Sequence, residues 1–106
     1  MKACVKRWLD EQMGGSDGAT AEAIYAEYRA TVGRLLAELS TVRAQGIAAE
    51  ATVARVAHTL KGCAAMVGDL PLQEAIAQWR DAFKAGDGAA EAALWSVILD
   101  EVKAIG

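Results

Sequence analysis

One residue in this 106-residue chain commits it to proton or group-transfer chemistry, and that is His58, its only histidine. An imidazole ordinarily titrates near about 6.5, so at neutral pH a large share is uncharged and carries a free, nucleophilic ring nitrogen. Its surroundings follow from helical periodicity. At about 100° per residue, a helix through 48–67 gathers Val53, Val56, Ala57, Leu60, Cys63, Ala64 and Val67 on one face. His58 then points roughly 200° around from the centre of that stripe, towards solvent. Lys61 follows one turn later on the same outer face, with Gly62 and Ala65 beside it. Ala54 and Arg55 come one turn before, and Met66 lies at the edge of the patch. The result is a histidine with a cation, ringed by side chains too small to shield it.

Several chemistries are excluded. A metal centre needs more ligands, yet there is no second histidine and Cys63 points inward. A nucleophile relay fails because no serine or cysteine is placed for His58 to activate, and a convex helix surface is expected to form no pocket. What remains is the imidazole itself as nucleophile. The blander alternative is a surface histidine beside an accidental glycine. Against it, a mid-helix glycine costs about 1 kcal/mol relative to alanine. At Gly62 nothing inside the chain needs the space, so a partner from outside is the natural user.

The elements that must position this patch are helices. Hydrophobic residues make up 54% of the chain, but 24 positions are alanine, and proline occurs once. With leucine, glutamate, lysine, arginine and glutamine filling long stretches, this is a helical propensity profile sized for one domain. Helices are expected at about 3–13, 20–45, 48–67, 70–85 and 89–105. Gly14, Gly15, Ser16, Asp17 and Gly18 break the first from the second, and Thr20 is the expected N-cap. Tyr25, Tyr28, Val32, Leu35, Leu39 and Val42 form the second helix's stripe, and Leu72, Ile76, Trp79 and Phe83 that of the fourth. Leu94, Ile98, Val102 and Ile105 serve the last. Gly68 suits a C′ position, while Asp69 and Pro71 suit the cap and first turn of the next helix. The expected fold is all-α, an up-and-down antiparallel four-helix bundle with a short N-terminal capping helix. Trp8, Trp79 and Trp95 are read as core or core-rim anchors.

Net charge is −3 and the pI about 5.1, with basic residues dispersed, so no field exists to attract nucleic acid or anionic lipid. Cys4 and Cys63 sit far apart and read as free thiols that pack as small apolar residues. The charged start, Met1 to Trp8, does not read as a signal peptide, and no apolar run approaches a membrane span. A soluble, cytoplasmic monomer is expected.

The stretch Ala57-His58-Thr59-Leu60-Lys61-Gly62-Cys63-Ala64-Ala65-Met66-Val67-Gly68 closely resembles the signature of histidine-containing phosphotransfer (HPt) domains. That signature usually reads alanine, histidine, any residue, leucine, lysine, glycine and two small residues, with a glycine ten positions after the histidine. The chain matches at Ala57, His58, Leu60, Lys61, Gly62 and Gly68, and the helical plan around the motif agrees over nearly the whole length. The resemblance implies a phosphocarrier rather than an enzyme. His58 would accept a phosphoryl group from a receiver-domain aspartate and pass it to another, Lys61 would balance phosphate charge, and Gly62 would leave the receiver room to close. Partners would be receiver domains of response regulators and of a hybrid histidine kinase. No cofactor is implied here, the Mg²⁺ belonging to the receiver. Met66 stands where many members have asparagine, and Arg80 where several have a glutamine that orients the histidine or phosphate, with Gln78 a competitor for that role. The rival reading is a four-helix docking module that binds a kinase or receiver without transferring phosphate.

Overall fold

A computed structural model describes residues 1–13 and 18–106. Of the expected break at Gly14 to Gly18, the first four residues lie outside these, and Gly18 is the first residue of the second helix. Among the described residues five α-helices follow one another: α1 (Ala3–Met13), α2 (Gly18–Arg43), α3 (Glu50–Met66), α4 (Leu70–Ala85) and α5 (Gly88–Lys103). The described residues contain no strand.

Helix ends fall within two residues of where the sequence places them, the two-residue departures being both ends of α2, the start of α3 and the end of α5, which falls at Lys103 rather than Ile105. α2 begins at Gly18, ahead of Thr20, and stops at Arg43. Residues Gly46–Ala49 form a 3₁₀ turn where the first turn of the third helix was expected. The cause is the absence of a capping side chain. Ala49 offers no acceptor to the first amides of α3, so the tighter turn supplies one, and the Glu50 N–H donates to the Ile47 carbonyl.

Between α3 and α4 the expectations hold residue by residue. Gly68 adopts φ +70° as the C′ residue of a Schellman ending. The Asp69 N–H donates to the Ala64 carbonyl at 2.9 Å and the Gly68 N–H to that of Ala65 at 3.3 Å. Asp69 then caps α4, its carboxylate accepting from the Leu72 N–H, with Pro71 in the first turn.

The stripes meet in one core. All six expected residues of α2 are buried, as are Leu72, Ile76, Trp79 and Phe83 of α4. On α5, Ile98 and the flanking Ile105 are buried, while Leu94 and Val102 are half-buried against the cluster. Trp79 and Trp95 are core residues with ring centroids 5.4 Å apart, and half-buried Trp8 packs on the rim. α2 packs against α3, α3 against α4, and α4 most extensively against α5. Arg43, ending α2, clasps Glu91 in the first turn of α5 through Nε and Nη2 and lies 4.8 Å over the Trp95 ring. The Trp79 indole N–H donates to the same Glu91 carboxylate at 2.7 Å. At the other end, the Tyr25 hydroxyl donates to the Ile105 carbonyl.

α1 packs against α2 and is tied in by a buried polar cluster that sequence patterning missed. Asp69 is fully buried. Its carboxylate accepts from Lys2 Nζ at 2.9 Å, from the Tyr28 hydroxyl at 2.7 Å and from Cys4 Sγ at 3.6 Å. Lys2 also pairs with Glu101 at 2.9 Å. Burial pushes the Cys4 thiol pKa upward, and the neighbouring Asp69 adds to it. Both cysteines are free and half-buried. The molecule measures 46 × 19 × 18 Å, and among the described residues no helix is long and apolar enough to cross a membrane.

Candidate functional site

α3 turns its apolar residues inward, with Val53, Val56, Ala57, Leu60 and Ala64 buried. His58 is thereby left exposed, with Lys61 half-buried one turn on. Neither forms a hydrogen bond or ion pair among the described residues. The ring nitrogens and the ammonium are thus uncommitted. Gly62 and Ala65 are exposed beside them, Ala54 is half-buried, and Met66 is 73% exposed. A Cβ added at Gly62 would meet nothing within 4 Å beyond its own stretch of helix backbone and its two chain neighbours, so its smallness serves no packing among the described residues. Arg55 is on the outer face but paired, its guanidinium 3.1 Å from Glu38.

The expectation of a surface without a pocket is corrected. An open cleft of about 420 Å³ runs between α3 and α4, and His58 and Lys61 line it. It exists because the residues between the helices are small: Ala54 and Ala57 on one wall, Ala77 on the other. Arg80 and Asp81 of α4 complete its polar lining. Of the two α4 residues weighed from sequence, Arg80 faces the cleft, whereas Gln78 is exposed outside it. The Arg80 guanidinium is engaged, both terminal nitrogens donating to Glu50 at the start of α3.

Asp81 and Glu50 were absent from the sequence reading. Each could be found only once the register of α3 against α4 was known, because Glu50 and Arg80 lie 30 positions apart. The site therefore combines a free imidazole, a free ammonium one turn along, and a second cation held nearby. Such a set can attack phosphorus and hold the oxygens of a phosphoryl group.

No curated protein and no solved structure matches the chain. A family model described as Hpt domain matches residues 23–106, which takes in α3 with His58, the cleft and nearly all of the core but leaves out α1. Most of the chain is thus accounted for by one family, and the free histidine and lysine stand within the matched span. The chain belongs to the Hpt domain family, whose members are phosphotransfer modules of two-component signalling and phosphocarriers rather than catalysts.

Proposed function

We propose that this protein relays a phosphoryl group between aspartates of receiver domains, with His58 as the carrier. The observation that carries the reading is the uncommitted pair His58 and Lys61 beside open space over Gly62. The neutral ring's outer nitrogen, Nε2, attacks phosphorus of an aspartyl phosphate. The P–O bond to the aspartate breaks as the N–P bond forms, and the carboxylate leaves with the bonding pair. Transfer to a second receiver reverses these events. Lys61 balances charge on the peripheral oxygens as they pass, as fixed cations do in phosphoryl transfer generally. Mg²⁺ is supplied by the receiver.

The partners in this reading are receiver domains of response regulators and of a hybrid histidine kinase, met by a cytoplasmic monomer. The scaffold is an up-and-down antiparallel four-helix bundle capped by α1. Support for that arrangement comes from opposite ends meeting. The start of α3 pairs with the later half of α4, the end of α2 with the start of α5, and the start of α2 with the end of α5.

The test is phosphorylation by a phosphorylated receiver domain. Wild type is expected to take up a label that is acid-labile and alkali-stable, as a phosphoramidate is. His58→Gln should fold normally and take up none. An acid-stable product, or label that persists in the variant, would refute the assignment.

A further inference from the structure

Arg80 lines the cleft that His58 and Lys61 share, yet its guanidinium is turned to Glu50. On α3, Glu50, Ala54 and His58 follow at four-residue intervals, so about 6 Å of helix rise separates Ala54 from each of the others. Ala54 therefore marks the midpoint, and its methyl group leaves the path between the two ends open. The ion pair is not locked away, since the side chains of Arg80 and Glu50 keep 22% and 32% of their exposure. Glu50 also stands in the first turn of α3, where the helix's free amide ends favour a carboxylate even without a partner.

The charges in the cleft give a reason for Arg80 to move. With Arg80 turned away, the charged lining is Lys61 and Asp81, which offset each other. A phosphoryl group on His58 would add about two negative charges to a cleft with no surplus of positive charge. A guanidinium matches two phosphoryl oxygens with a planar fork, a geometry Lys61 cannot supply.

We propose that Glu50 is a positioning residue that holds Arg80 in reserve, and that phosphorylation of His58 draws the guanidinium across Ala54 from Glu50 to the phosphoryl oxygens. The inference rests on the reading of His58 as phosphoryl carrier. Its consequence is a carrier whose second cation arrives with the phosphate, so the unloaded histidine keeps an open approach while the loaded one is shielded from water. Forked across the phosphoryl oxygens, the guanidinium lies between phosphorus and bulk water, so the N–P bond is spared hydrolysis until a receiver displaces it.

The test uses phosphoramidate as donor, its P–N bond to ammonia breaking as the bond to Nε2 forms. The lifetime of phosphohistidine is followed by ³¹P resonance in wild type, Glu50→Gln, Arg80→Ala and the double variant. Glu50→Gln should lengthen the lifetime several-fold, Arg80→Ala should shorten it, and in the Arg80→Ala background Glu50→Gln should change nothing further. In wild type the Arg80 Nε–H resonance should shift on phosphorylation, a readout that needs no variant to fold. A lifetime in Glu50→Gln no longer than wild type overturns the proposal, as does an equal lengthening without Arg80 or a stationary Arg80 resonance. Each of these leaves His58 as carrier. If wild type accepts no phosphoryl group, the carrier reading falls and the proposal with it.

Discussion

In the proposed function Gly62 and Lys61 would divide the work of the site between access and charge. Because nothing beyond its own stretch of helix backbone and its two chain neighbours approaches within 4 Å of the position a Gly62 Cβ would take, a side chain there removes about 1 kcal/mol of helix penalty without an internal clash. Gly62→Gln should therefore melt no lower than wild type and yet lose transfer from a receiver. Transfer at the wild-type rate would show that its smallness has no part in docking. Lys61→Ala separates chemistry from attraction. If the ammonium acts on the phosphoryl group, the rate at saturating receiver should fall by about 10- to 1000-fold, towards the lower figure because the interface is wet before it closes. Single-turnover transfer over a range of receiver concentrations decides it, since a defect that vanishes at saturation is one of docking alone. The azimuths of His58, Lys61, Gly62, Ala54 and Ala65 were legible in the sequence, because one helix's periodicity fixes them. The cleft and the Glu50 partner of Arg80 were not, because they depend on how two helices are set against each other.

The junction between α3 and α4 was legible for a similar reason, since its signals are local: a C′ glycine, a capping aspartate and a first-turn proline. The junction before α3 has no such side chain, and there the sequence reading ran the helix too early. Gly68 carries a second duty that its spacing did not reveal. A Cβ at this position would stand 2.7 Å from Trp8 Cδ1, in addition to forcing an L-residue to φ +70°. Gly86 shares the backbone condition, at φ +73°, with nothing within 4 Å. Gly68→Ala and Gly86→Ala should both lose about 1–3 kcal/mol from the backbone, and Gly68→Ala more, because Trp8 and with it α1 must shift. Urea unfolding of the two variants checks this. Equal losses would show that Trp8 yields freely.

At the scale of the whole molecule, two charged clusters join distant parts of the chain, and their responses to pH have opposite sign. The Glu91 carboxyl is held below its usual 4.5, chiefly by the Arg43 hydrogen bond, with that from Trp79 adding to it against the opposing effect of burial. A depressed folded value means that the stabilisation is fully present above 4.5 and is lost as pH falls through the folded value. Acidification through the carboxylate range should thus lower the melting temperature of wild type more steeply than that of Glu91→Gln; parallel curves would show that the clasp contributes nothing. For Lys2, burial favours the neutral amine but is outweighed by hydrogen bonds to Asp69 and Glu101, so its pKa lies above 10.5. Its contribution is complete below 10.5 and disappears only in strong alkali. Neither cluster was legible, since Tyr28 was counted as an apolar stripe residue, Asp69 as a cap and Lys2 as a terminal charge, and only the fold brings the three together.

The slenderness of the molecule, 19 × 18 Å in section and 46 Å long, sets the order of events in a relay. A specific partner of ordinary size covers about 800 Å² of surface. On a wall this narrow such a footprint takes the full width and nearly the whole length of one side. If His58 is the carrier proposed above, donor and acceptor would compete for the same ground, with no room for a ternary complex. In the proposed relay each phosphoryl group would then wait on His58 while one receiver departs and the next arrives. Steady-state relay rates should therefore follow a ping-pong law, with parallel double-reciprocal plots, and excess unphosphorylated donor receiver should inhibit competitively against the acceptor.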